Sequence, residues 1–168
     1  MGKEMFKSFI TRFRIAMYMV AALLMFTALA AAHGKMYFSA KLSGAQETPP
    51  VTAKATGAAY FHVNMKTGEI TYMVHVKDIE DVTMAHIHMG AKGKSGPPIA
   101  MLNVKTRKGK FSGMLAKGKI TKSDLMGPFQ GKTVKDLVDE IKTGGTYVNV
   151  HTKTNPDGEI RGQIEPRK

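Results

Sequence analysis

Short segments in which apolar and polar residues alternate make up most of this chain, and turn residues separate them. Met36 to Leu42 alternates in this way, and the segments Ala55 to Asn64 and Glu69 to Val76 flank the turn Lys66–Gly68. A period of two residues is typical of strands that bury one face, and a glycine turn between such segments indicates a hairpin. About seven or eight such strands predict a mainly β fold, an antiparallel Greek-key β-sandwich or barrel.

One helical insertion interrupts this pattern late in the chain. Before it, Ile99 to Val104 and Lys110 to Ala116 predict a second hairpin around a basic loop. Thr133, followed by Asp136 three residues later, is typical of a helix N-terminus. The insertion precedes the last hairpin, and its apolar residues recur at the spacing of one helical face. These residues are Val134, Leu137, Val138 and Ile141.

The first 32 residues have the layout of a secretory signal peptide. Basic residues precede an apolar run from Ile15 to Leu29, and small residues follow at Ala28–Ala32. The run is shorter than the roughly 20 residues that a spanning helix needs. We therefore expect a signal peptide over residues 1–32 and a folded domain over residues 33–168, in the periplasm or outside the cell. An uncleaved membrane anchor is the alternative.

Composition removes several classes of function. The chain has no cysteine, which excludes disulfides and thiol chemistry. Its formal net charge of +12 fits either a soluble basic surface or a polyanion partner. No helix-turn-helix pattern or RNA-binding aromatic signature is present, so no specific nucleic-acid partner is expected.

Two strand-like segments carry histidines at alternate positions. His86 and His88 share one face of the first segment, and Asn149 and His151 share one face of the second. If the apolar alternate residues form the core, three imidazoles lie on the outer side of a sheet. Imidazole is the commonest metal ligand among side chains, and three converging imidazoles suit zinc or copper.

Further ligands and a non-metal alternative come from the neighbouring residues. His75 is the candidate for a fourth ligand, and Met73, Met84 and Met89 would be soft thioether ligands for Cu(I), although the parity of Met89 places it inward with Ile87. In the alternative, histidine Nδ1 atoms and Asn149 hydrogen-bond loop carbonyls and hold the loop of residues 90–98. Independently of that choice, Glu159 and Arg161 are expected either to form a surface ion pair beside the strand of His151 or to support His151 as a metal ligand from behind.

Four ordered motifs in this sequence resemble the CHRD domain, the repeat first described in chordin. The resemblance covers about residues 36–165 and implies an immunoglobulin-like β-sandwich or barrel. In animals the domain occurs in extracellular proteins that bind growth factors of the bone morphogenetic type. The motifs are Phe38–Pro50, Ala85–Gly90 with Gly93–Pro97, Tyr147–Thr152 and Pro156–Ile164.

The arrangement of histidines is also similar, more loosely, to copper,zinc superoxide dismutase, another Greek-key barrel. That enzyme places an H-x-H strand and a later strand histidine around copper, and His86, His88 and His151 would correspond. No histidine occurs between Met89 and Val150, so the bridging histidine and the zinc-loop ligands have no counterparts there. The similarity implies a copper half-site at most.

The sequence therefore predicts an exported, non-enzymatic CHRD-type protein that binds a transition metal, copper ahead of zinc. The expected function is metal carriage or buffering. The first alternative is an extracellular module that binds a protein or a polyanion and whose histidines are structural, and the second is a superoxide-dismutase-like redox enzyme. The predicted metal ligands are His86, His88, His151 and His75.

Overall fold

A computed structural model describes residues 34–167, which form a mainly β domain with one short α-helix. The predicted signal peptide lies outside these residues. Within them, no helix is both long enough and apolar enough to cross a membrane. The elements are β1 Lys35–Ser43, β2 Thr56–Asn64, β3 Glu69–Glu80, β4 Val82–Met89, β5 Pro98–Leu102, β6 Lys110–Ile120, α1 Val134–Lys142, β7 Thr146–Thr152, β8 Ile160–Gln163 and β9 Glu165–Pro166.

The strands belong to one sheet that curls into a nearly closed barrel. Its order is β5-β4-β7-β8-β1-β2-β3-β6, with β9 paired to β1. The end strands β5 and β6 contact each other across the seam. The ladders that join β2 to β3, β3 to β6, β4 to β5, β4 to β7 and β7 to β8 are all antiparallel. The predicted fold class, a barrel or sandwich with a helical insertion, is confirmed.

Alternate residues of each strand fill the interior of the barrel. On β4, Ala85 and Ile87 are fully buried in the core, and Val148 and Val150 of β7 join them. Because side chains alternate along a strand, the residues between these four must face outward. The inner face of this pair of strands thus determines where its polar residues lie.

The first predicted hairpin is confirmed, and the second is wrong in its pairing. β2 and β3 pair antiparallel from Asn64↔Glu69 onward. β5 and β6 exist as strands, but β5 pairs with β4 and β6 pairs with β3, so they lie at opposite ends of the sheet order. The glycine-rich loop after Met89 returns β5 along β4, and residues 103–109 then carry the chain to the other edge.

The helix α1 begins and packs as its sequence predicts. The backbone N–H of Asp136 donates to Thr133 Oγ1 at 3.2 Å, and the Asp136 carboxylate accepts from the Thr133 backbone at 2.8 Å. This reciprocal pair satisfies two N–H groups that a helix start leaves free. Leu137, Val138 and Ile141 are buried in the core. This apolar face of α1 therefore packs against the core of the barrel.

Truncating the β4 core should destabilise the domain strongly. Ile87 is fully buried, and Ile→Ala changes at such sites cost about 2–5 kcal/mol through lost burial and a residual cavity. We expect Ile87→Ala to lower the free energy of unfolding in urea by that amount. Met73→Ala, at a side chain 44% exposed, is the control and should change it by no more than about 0.5 kcal/mol. Equal effects from the two variants would contradict this placement of the core.

Candidate metal centre

Three of the predicted histidines converge on one side of the sheet. In the antiparallel register of β4 and β7, Met84 is opposite His151, His86 is opposite Asn149 and His88 is opposite Tyr147. One nitrogen from each of His86, His88 and His151 lies within 4.8 Å of the others. These three residues are called the histidine cluster below. Strand alternation and register alone bring them together.

The histidine cluster is covered by loops, although it is on the outer side of the sheet. His86, His88 and His151 are only 6%, 8% and 6% exposed. The chain comes very close to itself over the cluster, because a Cβ on Gly96 would lie 1.9 Å from the carbonyl oxygen of Met89. Only glycine fits at that crossing. The outward-facing rings therefore occupy a second, polar interior between the sheet and its loops.

Loop carbonyls hold two of the rings by Nδ1. His88 Nδ1 donates to the carbonyl oxygen of Gly96 at 2.9 Å, and His151 Nδ1 donates to that of Pro156 at 2.9 Å. A carbonyl oxygen can only accept, so Nδ1 carries the proton in both rings and Nε2 keeps its lone pair. These are the structural hydrogen bonds expected in the alternative to metal binding. They also orient imidazole rings as partners behind metal ligands do.

On the opposite edges of the rings, the nitrogens do not all have good hydrogen-bond partners. His86 Nδ1 lies 3.3 Å from His151 Nε2. His88 Nε2 is buried and has no hydrogen-bond partner among the described residues. A buried polar atom without a partner costs about 1–3 kcal/mol. The cluster therefore keeps an unused lone pair in a place where water cannot easily satisfy it.

The spacing of these nitrogens fits a transition metal. Zinc binds imidazole nitrogen at about 2.0–2.1 Å in tetrahedral geometry, which places two ligand nitrogens about 3.3 Å apart. The His86 and His151 nitrogens already lie 3.3 Å apart. All three ligand nitrogens lie within 4.8 Å of one another, so small rotations of the rings would complete the site. His88 Nε2 would be the third ligand.

All three imidazoles are held in the neutral form that binds metals. Burial is the main cause that lowers the pKa of His86, to about 4, and the neighbouring His151 and His88 lower it further. Burial also lowers the pKa of His88 and that of His151, although their hydrogen bonds to Gly96 and Pro156 act in the opposite direction. At neutral pH no second proton occupies these rings, and a bound ion would displace the hydrogen bond between His86 Nδ1 and His151 Nε2.

A stack of side chains supports the His88 ring from the side. Tyr147 lies parallel to His88, with ring centroids 5.1 Å apart, and the Arg161 guanidinium lies 3.4 Å from the centre of the Tyr147 ring. Arg161 is only 2% exposed and donates to the carbonyl oxygens of Lys94 at 2.7 Å and Ala91 at 3.3 Å. This arginine thus ties the covering loop to β8.

A second polar group lies beside the cluster. Asn149 Nδ2 donates to the carbonyl oxygen of Asp157 at 3.2 Å. Burial raises the pKa of Glu47 to about 7, against the opposing effect of Arg161. Gly158 separates the two side chains, since a Cβ there would lie 2.4 Å from Asn149 Nδ2 and 2.6 Å from Glu47 Oε1. Glu47 is therefore an acid of raised pKa that lies beside Gly158 and Asn149.

The structure does not bring His75 to the cluster. His75 is exposed on β3, where it pairs with Ala58 and Met114. The alternation that suggested His75 holds, but β3 lies far from β4 and β7 in the sheet order. Alternation along a strand predicts which face of the sheet a residue is on, but it does not predict which strands lie beside it. The sequence therefore could not exclude His75 as a ligand.

The surface ion pair proposed for Glu159 and Arg161 is wrong. Both residues are buried, and Glu159 accepts a hydrogen bond from Thr152 Oγ1 at 2.7 Å, while Arg161 stacks on Tyr147. The sequence analysis missed Tyr147 as a support of the cluster. Its position two residues before Asn149 already placed it on the same face.

Comparison with known proteins places the chain in a family. A family model described as the CHRD domain matches residues 38–164. The chain belongs to the CHRD family. Chordin from Xenopus laevis is 30% identical to it over an alignment of 131 residues that covers 73% of this chain and 12% of chordin. The chain thus spans a small part of chordin, and the span that matches the CHRD model contains the whole histidine cluster.

Acid should destabilise this CHRD domain through His86 when no metal is present. The unfolded chain takes up a proton near the ordinary pKa of 6.5, whereas the folded protein does not until about pH 4. The free energy of unfolding therefore falls as the pH falls through this window. We expect up to about 3 kcal/mol of loss from this residue, measured by urea unfolding in the presence of a chelator.

The control is His86→Gln, which removes this titration. Wild type and variant must be compared because the raised pKa of Glu47, about 7, acts in the opposite direction over much of the same range. The difference in unfolding free energy between the two proteins should shrink as the pH falls from about 6.5 to about 4. The same pH dependence in both would contradict a neutral, buried His86.

Proposed function

We propose that this CHRD domain binds a transition metal, copper ahead of zinc, through His86, His88 and His151. Its function is metal carriage or buffering in the periplasm or outside the cell, without catalysis. The observation that carries this proposal is the convergence of the three rings with a buried, unpartnered Nε2 on His88. A metal ion can accept the lone pair of this buried nitrogen and needs little space, so it would stabilise the atom more than a larger partner could.

The ligand set favours copper over zinc. Divalent copper binds nitrogen ligands more tightly than divalent zinc in the general order of first-row metals. The chain has no cysteine, and the ligand group among the described residues contains imidazoles alone. Structural zinc sites usually have four protein ligands. A set of three neutral imidazoles therefore suits an ion that can be exchanged better than one that holds the fold together.

Export is inferred from the amino-terminal residues. Residues 1–32 combine basic residues, a short apolar run and small residues before a cleavage position. The absence of cysteine means that a domain in an oxidising compartment would have no disulfides. Imidazole ligands do not oxidise as thiols do, so the site would keep its affinity there.

A second candidate function is recognition of an extracellular polyanion or an acidic protein. A groove of about 740 Å³ opens on the outer surface of β1, β2, β3 and β6. Tyr37 and Tyr60 line it at 49% and 37% exposure, and Lys117 and Arg167 add positive charge. The Arg167 guanidinium lies 5.5 Å from the centre of the Tyr60 ring. Aromatic faces beside cations suit an anionic sugar or an acidic peptide.

Metal should stabilise the native protein through the histidine cluster. A ligand that binds only the native state at about 100 times its dissociation constant adds about 2.7 kcal/mol to the free energy of unfolding. We expect this increase with Cu(II), and with Zn(II) at higher concentration, in chemical unfolding of the purified protein. The double variant His86→Ala/His88→Ala should lose it.

The matched control for this test is His75→Ala. His75 is an exposed histidine on the same sheet, so its removal changes the histidine count without touching the cluster. Its metal response should equal that of the wild type. A metal response that survives the double variant, or that disappears in His75→Ala, would place any binding elsewhere.

The groove gives a separate test of the second candidate. We expect a uronic-acid oligosaccharide to bind the purified protein more tightly than a neutral oligosaccharide of equal length, with an affinity that falls as salt rises. Lys117→Gln should weaken binding by about tenfold, or about 1.4 kcal/mol. Lys108→Gln, in the basic loop outside the groove, should leave binding unchanged. Loss of binding in Lys108→Gln alone would move the recognition surface to that loop.

A further inference from the structure

A methionine occupies the position on β4 that continues the row of metal-binding candidates. Met84 precedes His86 by two residues, and it is directly opposite His151 in the register of β4 and β7. The register shift between Val82 and Met84 takes up the intervening residue, Thr83. From Met84 onward the alternation is regular, so Met84, His86 and His88 share one face.

Met84 is within reach of the cluster from its solvent side. Residues directly opposite each other in an antiparallel pair have Cβ atoms about 4.5–5.5 Å apart. The methionine side chain has three rotatable bonds and a polarisable sulfur, so its thioether can contact the ring of the opposite His151. Met84 is 46% exposed, whereas His151 is 6% exposed. Met84 is therefore a solvent-exposed residue directly opposite a buried histidine of the cluster.

We propose that the histidine cluster takes monovalent copper and that the thioether of Met84 is its fourth ligand. This inference rests on the proposed metal-binding function and names the ion and its oxidation state. Thioether sulfur is a soft ligand that selects Cu(I) over zinc. Binding needs no electron transfer, because Cu(I) enters and leaves by exchange of ligands alone.

The neutral ligand set favours a monovalent ion. A cationic group also lies close behind it, because the Arg161 guanidinium is 3.4 Å from the centre of the Tyr147 ring, which stacks on His88. With three imidazoles and a thioether as ligands, no ligand brings a negative charge to offset a second positive charge on the ion.

The exposure of Met84 also gives the ion a path into the cluster. The three rings are nearly inaccessible, so an incoming ion must first meet a donor at the edge. A flexible thioether can bind the ion there and pass it to the adjacent His151. Met84 would thus act both in selecting the ion and in loading it.

Other methionines supply matched controls. Met73 and Met114 are exposed to 44% and 41%, close to the value for Met84, but they lie on β3 and β6, away from the cluster. Met89 is on the other face of β4 and packs against the core. A role that follows from sulfur near the histidines should belong to Met84 and should be absent at Met73.

The test compares Met84→Leu with Met73→Leu in the purified protein. Cu(I) affinity is measured without oxygen by competition with a chromophoric Cu(I) chelator, and Zn(II) affinity is measured by competition with a zinc indicator. Met84→Leu should lower the Cu(I) affinity by about tenfold and leave the Zn(II) affinity unchanged. Met73→Leu should change neither, because leucine keeps the volume and removes only the sulfur.

X-ray absorption of the Cu(I)-loaded protein provides the second readout. Wild type and Met73→Leu should show nitrogen scatterers and one sulfur scatterer, and Met84→Leu should show nitrogen alone. Equal Cu(I) affinity in Met84→Leu and wild type, equal losses of both metals, or a wild-type spectrum without sulfur would each overturn the inference.

The same measurements separate this inference from the function on which it rests. If His86→Ala/His88→Ala kept full affinity for both metals, the three-histidine site itself would be refuted. If that variant lost both metals while Met84→Leu kept Cu(I), the site would stand and only the role of Met84 would fall.

Discussion

The inner faces of β4 and β7 meet in the core through four apolar residues, Ala85, Ile87, Val148 and Val150, all at 0% exposure. A one-residue shift of either strand would turn these side chains outward and bring imidazoles into the core. Burying an imidazole there without partners would cost several kcal/mol. Core formation therefore fixes the face on which the histidines lie, and the register between the two strands brings them together.

The loops over this face depend on the histidines as much as the histidines depend on the loops. The carbonyl oxygens of Gly96 and Pro156 accept hydrogen bonds from Nδ1 of His88 and His151. Arg161 joins the loop that contains Gly96 to β8. The hydrogen bonds that close the loops also fix which nitrogen keeps its lone pair. Structural and metal-binding roles thus use opposite edges of the same rings and do not compete. A site ordered in this way loses little entropy when an ion binds.

Strand periodicity was sufficient to predict the barrel class and the common face of His86, His88 and His151, and helical spacing with a cap was sufficient to predict α1. It was insufficient where contacts depend on chain path. His75 has the right parity but lies on a distant strand, and the basic loop after β5 crosses the seam and closes no hairpin. The burial of the cluster was also not predictable, because it comes from backbone carbonyls, which the identities of loop residues do not place.

The proposed function depends on three ring nitrogens of β4 and β7 that hold a single ion. Anomalous diffraction at the copper edge from crystals of the metal-loaded protein tests it most directly. We expect one strong peak about 2.0–2.1 Å from nitrogens of His86, His88 and His151, with the Gly96 and Pro156 hydrogen bonds intact. Saturated crystals in which the ion lies on exposed surface groups, with the His86 and His151 nitrogens still in direct contact, would contradict it.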